Sequence, residues 1–402
     1  MIGINSSNRG FPHSIIDTTP LRWDVDMKDR IIFETQGERT ITPVYFDLNL
    51  IQDPFFLTFC QELAHPLALI TDSDVNEYYG RLLFKLIKKR GCDVTSHLFA
   101  AGEKSKNRSV KARLEDSLFR AGHRRDSCLI ALGGGVTTDL VGYIAATFCR
   151  GVPYLSIPTS LLAMVDASMG GKTGVNLRFG KNLIGVNYPP LAIFIDFSTL
   201  RTLSDDQMRE GLAEIIKHSL ITHAELFHHL HSNLEKWRKK EIPFIKHIVY
   251  TSCQLKKNIV IADMRETGRR RILNFGHTIG HAIEVAEGYH ISHGEAIAIG
   301  MIVEGLISYK LNKITAFAFD KIYHIFRLFG YRLALSNTIT TQRMLDAMRY
   351  DKKSKQCVPQ FVILNDVGAV EPFQGMYSTQ IEVPLLREVL NWMIAEFSKD
   401  SI

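Results

Sequence analysis

The chain has 402 residues, which is too long for one average domain and makes two domains the default expectation. Hydrophobic residues make up 46% of the chain and charged residues 22%, as in ordinary globular proteins rather than disordered ones. The net charge of +6 comes from scattered lysines and arginines without the interleaved aromatics and glycines of a nucleic-acid binder, so small anionic ligands are favoured over nucleic acid.

The cysteines and the amino terminus bear on the cellular compartment. The six cysteines are far apart and form no C-x-x-C pair, which indicates reduced thiols and argues against a disulfide or cysteine–zinc framework. Residues 1–22 are polar and lack the apolar core of a signal peptide, and no stretch approaches about 20 uninterrupted apolar residues. We therefore expect a cytoplasmic protein without membrane contact, with an N-terminal extension over residues 1–22.

Short strands alternate with helices over residues 23–202, which predicts an α/β domain. This rhythm is typical of a parallel sheet with right-handed crossover connections. Helices are expected at 77–89, from 107 to 120 and at 140–146, and strands at 21–26, 30–35, 66–72, 95–99, 127–132, 151–158 and 191–196.

A triple-glycine turn, Gly133-Gly134-Gly135, connects a predicted strand to a predicted helix. Glycines lack a Cβ, so a pyrophosphate can approach the backbone N–H groups at the positive end of the helix. The turn is not the G-x-G-x-x-G fingerprint, and a tight structural turn explains it equally well. Asp72, at the end of an earlier strand, is a candidate partner for a ribose hydroxyl.

Two glycine-flanked lysines, Lys172 and Lys181, follow the next strand together with Asn182. We expect all three on loops, where they could hold a phosphorylated, hydroxyl-rich ligand. Lysines between glycines also occur in plain surface turns, so the pattern alone leaves both interpretations open.

Beyond about residue 203 the strand signals stop, and residues 203–402 are predicted to form an α-helical domain. Amphipathic helices are expected at 205–220, 244–264 and 294–311. Four histidines in this half, at positions 223, 228, 229 and 231, lie in the context of an exposed helix. That context favours a solvated surface over a metal site.

Three further histidines have a spacing that suggests chemistry. His277 and His281 are four residues apart and so share one face of a helix. His293 follows a glycine-containing break, after which a second helix can fold back toward the first. Two imidazoles, one carboxylate and an open position form the pattern of a catalytic zinc site, and Glu214 is the candidate carboxylate. Taken one at a time, the same histidines would fit a helical core.

Together these motifs resemble the 3-dehydroquinate synthase family and the wider sugar-phosphate cyclase superfamily, over roughly residues 65–365. The resemblance implies a Rossmann-like NAD-binding α/β domain, an α-helical metal- and substrate-binding domain, an active site in the cleft between them, and a homodimer. The motifs that carry it are Gly133-Gly134-Gly135-Val136 with Asp139, Arg150-Gly151, Ile157-Pro158-Thr159, Asp166, Gly171-Lys172-Thr173-Gly174-Val175-Asn176, Gly180-Lys181-Asn182, Leu212-Ala213-Glu214-Ile215-Ile216-Lys217, Arg270 to Asn274, His277, His281 and His293-Gly294-Glu295.

The resemblance also implies residue roles. Glu214, His277 and His293 would bind Zn²⁺ or Co²⁺, and Asp166, Lys172, Lys217, Asn274 and His281 would be catalytic. Lys256 and Arg270 would hold the substrate's carboxylate, and Lys172 and Asn274 would lie at the ring hydroxyls of the substrate. Its phosphate would be held by Asn182, His281, one of Lys352 and Lys353, and Arg150 of the partner subunit. NAD would bind at Asp72, Glu103, Lys106, Gly133, Gly134, Gly135, Asp139, Thr159, Ser160, Lys181 and Thr202.

The implied chemistry is a cyclisation with no net redox change. NAD takes a hydride from the ring carbon whose hydroxyl the metal polarises, and that hydroxyl loses its proton to give a ketone. The neighbouring C–H becomes acidic, and phosphate leaves by β-elimination. The hydride then returns, and ring opening followed by an aldol closure gives the carbocycle. The protein mainly orients the substrate and stabilises charge at the phosphate.

Three departures from the family pattern bear on the substrate: Thr138 before Asp139, Ser160 in place of Thr, and the 187–190 loop. They resemble relatives that cyclise sedoheptulose 7-phosphate or glucose 6-phosphate. The carboxylate-binding side chains are nevertheless retained, which favours 3-deoxy-D-arabino-heptulosonate 7-phosphate and places the enzyme in the shikimate pathway of aromatic amino-acid biosynthesis. The alternatives are a cyclase for one of those neutral sugar phosphates, a metal-dependent alcohol dehydrogenase and a non-catalytic binding protein.

Overall fold

The computed structural model describes residues 30–34, 41–178, 180–264, 266–349 and 358–398. The predicted N-terminal extension, the strand expected at 21–26, Lys352 and Lys353 lie outside these residues. Within them, no helix combines the length and the apolar character that crossing a membrane requires.

The strands are concentrated in the N-terminal half. They are β1 (Arg30–Glu34), β2 (Ile41–Asp47), β3 (Leu67–Asp72), β4 (Val94–Phe99), β5 (Cys128–Gly133), β6 (Tyr154–Pro158), β7 (Lys172–Leu177), β8 (Gly180–Asn187), β9 (Ala192–Asp196), β10 (Leu364–Asp366) and β11 (Ala369–Val370).

The helices occupy the connections of the first half and most of the second. They are α1 (Pro54–Glu62), α2 (Ser73–Val75), α3 (Arg81–Lys89), α4 (Arg108–Arg120), α5 (Gly135–Thr147), α6 (Asp205–Thr222), α7 (Ala224–Ser232), α8 (Leu234–Arg238), α9 (Ile242–Ala262), α10 (His277–Ala286), α11 (His293–Lys310), α12 (Ala316–Leu328), α13 (Thr341–Arg349) and α14 (Val383–Phe397).

Seven strands form one twisted sheet in the order β1-β2-β9-β6-β5-β3-β4. Every neighbouring pair is parallel except β1 and β2, which are antiparallel. Six residues, 35–40, connect that pair. Such a connection is too short for the crossover that parallel strands need, so this edge departs from the predicted parallel arrangement.

The sheet is covered on both faces, which explains the continuous apolar runs in its strands. Leu67 and Leu69 of β3 pack with α1 and α3 on one face. Ala68 and Ile70, the alternate residues, pack with α4 and α5 on the other. The predicted Rossmann-like α/β domain is confirmed.

The second half is a helical body built around α11, which is buried along nearly its whole length. Its core continues into the sheet edge, where β1, β2 and β9 contribute Ile31, Val44 and Ile193. The predicted α-helical half is confirmed, with α6, α9 and α11 within two residues of the expected bounds. The small hairpin of β10 and β11 has no counterpart in the predicted elements.

Lys172 and Lys181 lie on a second antiparallel hairpin, formed by β7 and β8. Asn182 lies on β8 as well, so the prediction of loops for all three residues is wrong. Gly174 and Gly185 face each other in this hairpin so closely that a Cβ on either would overlap the opposite backbone. Glycines that usually mark turns here permit close strand pairing.

Candidate active site

Helix α6 carries the candidate carboxylate into the centre of the molecule. Its first turn is stabilised by a capping box between Ser204 and Gln207. One turn before Glu214, Gly211 lies so close to the backbone of Leu162 that a Cβ could not be accommodated. Helix α6 thus packs against the segment that follows β6, and Glu214 is fully buried, at 0% exposure.

Glycines also set the angle at which α10 and α11 meet. Gly276, with a φ of 78°, lies against Met301, and Gly300 lies against the carbonyl of Gly276. At the other end, Gly294 packs on the backbone of Glu210 in α6. These three contacts bring the first residues of α10 and α11, His277 and His293, to Glu214.

The three side chains converge with the spacing of metal ligands. Glu214 Oε1 lies 3.5 Å from His277 Nε2 and 3.6 Å from His293 Nε2. Ligand atoms about 2.1 Å from a tetrahedral zinc ion are separated by about 3.4 Å, so the spacing fits such an ion with one position open. Glu214 Oε1 is buried without a hydrogen-bond partner among the described residues, as expected of an atom that binds a cation.

Both imidazoles are oriented by contacts on their far side. His277 Nδ1 donates to the carbonyl of Phe275 at 3.1 Å, and His293 Nδ1 lies 3.5 Å from Glu284 Oε1. This arrangement leaves Nε2 of each ring directed at Glu214 and available as a ligand.

The electrostatics of the cluster favour a positive charge. Burial opposes ionisation of Glu214, yet Lys217 and the two imidazoles hold its pKa well below the usual value. Burial would likewise lower the pKa of His293, but Glu214 and Glu284 raise it to about 10. A divalent cation would supply the charge that the site otherwise takes from protons, so the donor set fits Zn²⁺ or Co²⁺.

Buried cations adjoin this cluster. Lys217 pairs with Glu214 Oε2, and Lys256 donates to Asp166 Oδ1 at 2.5 Å and to the Asp166 carbonyl at 2.6 Å. Burial would raise the pKa of Asp166, but Lys256 holds it far below its ordinary value. Arg270, 2% exposed, donates from Nη1 to Met264 O, while its Nε has no hydrogen-bond partner among the described residues.

Glu266 joins two predicted substrate residues. Its carboxylate pairs with Lys172 and accepts from Asn274 Nδ2 at 2.9 Å. Glu266 was not predicted, because it stands in the irregular segment before residue 269, where no periodic pattern singles it out.

The glycine turn lies at the topological switch point of the sheet. β4 and β5 flank β3 on opposite sides, so a crevice opens where β3 and β5 end, at Asp72 and Gly133. Asp72 accepts from the backbone N–H groups of residues 74 and 75 and from Thr137 Oγ1. α5 begins at Gly135 without a side-chain cap, which leaves its first N–H groups available to an anion.

Other predicted cofactor residues form polar contacts, some of them at the margins of this crevice. Lys106 pairs with Asp139 at 2.5 Å, Glu103 accepts from Asn176 at 2.6 Å, and Lys181 pairs with Glu284 at 2.7 Å. At its margins, Thr159 N donates to Gly133 O, Ser160 lies against Gly134, and Thr202 contacts the Tyr79 hydroxyl.

The predicted phosphate ligands are more dispersed than the candidate metal ligands. His281 lies beside the candidate metal ligands, with ring centroids 5.3 Å from His277 and 6.3 Å from His293. Arg150, with a φ of 70°, and Asn182 are exposed. The four histidines at positions 223, 228, 229 and 231, at the N-cap of α7 and within it, form no metal-ligand group among the described residues, and His229 stacks on Phe244.

Two functional candidates besides Glu266 were not predicted. Glu284 lies three residues after His281 and seven after His277, a helical spacing that could have identified it. His218, completely buried, lies with Asp166 and Glu214 in a second group of possible ligand atoms, and its Nδ1 bonds to Ser252. Burial, with Lys217 next in effect, lowers the pKa of His218 to about 3, so this imidazole is neutral.

Comparisons with known proteins agree with this geometry. Residues 96–210 and 211–354 match the family models for the 3-dehydroquinate synthase N-terminal and C-terminal regions, respectively. A 3-dehydroquinate synthase of Rippkaea orientalis (strain PCC 8801 / RF-1) is 38% identical over 332 residues, which cover 82% of this chain and 89% of that relative.

Solved structures of two cyclases share the fold. ValA, a 2-epi-5-epi-valiolone synthase from Streptomyces hygroscopicus subsp. jinggangensis 5008 with NAD⁺ and Zn²⁺ bound, has a TM-score of 0.80 and 25% identity, over 88% of this chain and 97% of ValA. A 2-deoxy-scyllo-inosose synthase complexed with carbaglucose-6-phosphate, NAD⁺ and Co²⁺ has a TM-score of 0.77 and 24% identity, over 90% of this chain and 99% of that chain. By its sequence, the chain belongs to the 3-dehydroquinate synthase family.

Proposed function

We propose that this protein is a 3-dehydroquinate synthase, which converts 3-deoxy-D-arabino-heptulosonate 7-phosphate to 3-dehydroquinate and phosphate with NAD and Zn²⁺ or Co²⁺. The observation that carries the proposal is the burial of two cations, Lys256 and Arg270, beside the convergent Glu214, His277 and His293. Buried cations at a metal cluster match a substrate that bears a carboxylate as well as a phosphate.

The bound cofactor and metal ion would supply a reversible oxidation of one ring hydroxyl. This chain's residues hold the substrate for that step. Arg270 retains donors beyond the one that binds Met264 O, so its fork can take a carboxylate in a bidentate manner. Lys256, held by Asp166, adds a second positive charge that is screened from water.

Polar groups around the ring would fix its orientation. Asp166 is ionised and accepts hydrogen bonds from hydroxyl groups, while Lys172, Lys217 and Asn274 donate to them. Glu266 holds the ends of Lys172 and Asn274 together, which restricts both side chains before substrate arrives. Such preorganisation favours one ring geometry throughout elimination and closure.

The remaining assignments belong to the same proposal. Asn182, His281, Lys352 or Lys353, and Arg150 of the partner subunit would bind the phosphate in a homodimer. NAD would lie in the crevice between β3 and β5, and the domains would divide at 202/203, close to the junction of the two family models at 210/211. The free, mostly buried cysteines among the described residues support a cytoplasmic location.

A second candidate function is cyclisation of a sugar phosphate without a carboxylate. It is favoured by the likeness to ValA and to the 2-deoxy-scyllo-inosose synthase across most of the chain. The identity to these cyclases is 24–25%, against 38% to the 3-dehydroquinate synthase of Rippkaea orientalis, so the carboxylated substrate has the stronger support.

Phosphate release separates these functions. The purified protein, loaded with NAD⁺ and Zn²⁺, should release inorganic phosphate from the heptulosonate 7-phosphate and form 3-dehydroquinate, with no accumulation of NADH at the end point. Release from sedoheptulose 7-phosphate or glucose 6-phosphate alone would establish the second candidate. Net NADH formation would instead indicate an alcohol dehydrogenase.

A further inference from the structure

Glu284 is a buried carboxylate in contact with both halves of the active site. Its side chain is 3% exposed, and its Oε1 accepts from Lys181 Nζ at 2.7 Å. The same oxygen lies 3.5 Å from His293 Nδ1, and His293 Nε2 lies 3.6 Å from Glu214 Oε1. A continuous line of contacts therefore runs from Lys181 through Glu284 to the metal ligands.

The two neighbours of Glu284 belong to different structural units. Lys181 stands on β8 of the sheet domain, whereas His293 begins α11 of the helical domain. Lys181 is further confined by Tyr289, whose ring centroid lies 4.8 Å from Nζ. The pair thus fixes the position of the hairpin lysine relative to the metal cluster.

We propose that Glu284 is a positioning residue that couples metal binding to NAD binding. This inference rests on the proposed function, in which Lys181 contacts NAD and His293 binds the metal. A metal ion on Nε2 fixes the His293 ring and makes Nδ1–H a donor to Glu284. Glu284, held in this way, keeps Lys181 in one orientation before the cofactor binds.

Glu284 can accept from Lys181 and His293 at the same time, so the coupling between metal binding and NAD binding is positive. A carboxylate offers about four acceptor positions and an ammonium group three donors, which lets Lys181 bind Glu284 and NAD simultaneously. Because the Lys181 side chain is already ordered, NAD binding costs less conformational entropy. By reciprocity, NAD must tighten metal binding by the same factor.

The test is the ratio of NAD⁺ dissociation constants without and with Zn²⁺, measured by calorimetry on the full chain. We expect NAD⁺ to bind roughly 5- to 20-fold more tightly with Zn²⁺ in the wild type. In Glu284→Gln, which preserves shape but removes charge, this ratio should approach one. In Lys181→Met it should also approach one, and the double variant should show no further loss.

Glu287→Gln is the matched control. Glu287 closes the same helix and accepts from the Ser336 amide, away from Lys181 and His293, so the ratio should stay at its wild-type value. A role limited to folding would weaken NAD⁺ and Zn²⁺ binding in Glu284→Gln and leave the ratio unchanged. That result would overturn the inference.

Metal spectroscopy gives a second readout. The visible absorption of the Co²⁺-loaded wild type should change when NAD⁺ is added, and that of Glu284→Gln should not. Because His281, Glu284 and His293 also form a possible ligand group, a stoichiometry of two Co²⁺ per chain that falls to one in Glu284→Gln would make Glu284 a ligand and refute the positioning role. None of these readouts needs turnover, so failure of phosphate release would refute the proposed function separately.

Discussion

Two pairs of histidines in this molecule, one partly buried and one buried, have opposite properties. His277 and His293 face the carboxylates of Glu214 and Glu284, and the pKa of His293 rises to about 10. The rings of His97 and His123, near the outer edge of the sheet, are bridged by a single hydroxyl group. The same residue type is thus adapted to two purposes by its partners.

The second pair is surrounded by hydroxyls. Thr95 Oγ1 lies 2.7 Å from His97 Nε2 and 2.6 Å from His123 Nε2, and the Nδ1 atoms contact Ser117 and Ser127. Burial, followed by the neighbouring His123, lowers the pKa of His97 to about 4, and burial also lowers the pKa of His123. These rings are neutral and hold β4 to α4.

The comparison shows that burial alone does not identify a metal ligand. Burial lowers the pKa of an imidazole in both places, and only a facing carboxylate reverses the effect. A carboxylate opposite Nε2, with a second acceptor opposite Nδ1, provides a place for a cation. Hydroxyls in the same positions provide only hydrogen bonds.

The largest expected effect comes from removing one member of the carboxylate-facing pair. His277→Ala should abolish turnover and lower bound zinc from about one equivalent to near zero, because a catalytic zinc site needs its three protein ligands. Metal content by mass spectrometry and phosphate release measure the two outcomes. Full activity with stoichiometric zinc would remove His277 from the site.

Arg270→Ala should have the next largest effect. It removes a buried guanidinium, so substrate binding should weaken by about 2–4 kcal/mol, the range of a lost charged hydrogen bond together with the group left unpaired. NAD⁺ affinity should be largely retained, because Arg270 bonds to Met264 O and is not among the side chains at the crevice between β3 and β5. Kinetics with the heptulosonate phosphate and NAD⁺ calorimetry check this expectation; equal loss of both affinities would refute the carboxylate role.

In the hydroxyl-facing pair the expected effect is on stability and not on activity. His123→Ala leaves the hydroxyls of Thr95 and Ser127 with one fewer partner, which should lower the free energy of unfolding by about 1–3 kcal/mol. Turnover at a temperature where the protein is folded should be unchanged. Urea denaturation measures the stability and phosphate release measures the turnover. A loss of zinc in this variant would contradict the distinction between the two histidine pairs.

How much of this could be predicted from the sequence depends on whether a feature is local. The glycine turn is a short local motif, and His277 and His281 share a helical face, so the sequence pattern alone singled them out, whereas Asp139 was assigned through the family resemblance. Glu214 is 63 positions before His277, and it reaches the histidines only because Gly211 and Gly294 allow α6 to pack closely on its neighbours. That convergence depends on how the helices pack, and the periodicity of the sequence does not reveal helix packing.

Other features were hidden for related reasons. The β7–β8 hairpin was predicted as loops because its strands carry glycines and lysines rather than alternating apolar residues. Glu266 lies in an irregular segment, and its role is visible only once Lys172 and Asn274 are seen to meet there. The assigned roles of the individual site residues remain predictions until the variants are measured.

The smallest effect concerns the pH dependence of stability. Since the folded pKa of His97 is about 4 and the ordinary value is 6.5, the unfolded chain binds a proton first as the pH falls. The contribution of His97 is therefore fully present above about pH 6.5, declines between about pH 6.5 and about pH 4, and levels off below that range.

The matching variant is His97→Asn, which removes the titration and keeps a polar side chain in contact range of Thr95. His123, with Asp93, Asp126 and Arg124 nearby, continues to titrate in the variant, as does His293, so only the difference between the two proteins reports on His97. Urea denaturation at about pH 7 and about pH 5 should show wild type losing up to about 2 kcal/mol more than the variant, since each pKa unit corresponds to about 1.4 kcal/mol. Equal losses would mean that His97 is already protonated in the fold, and the distinction between the two histidine pairs would disappear.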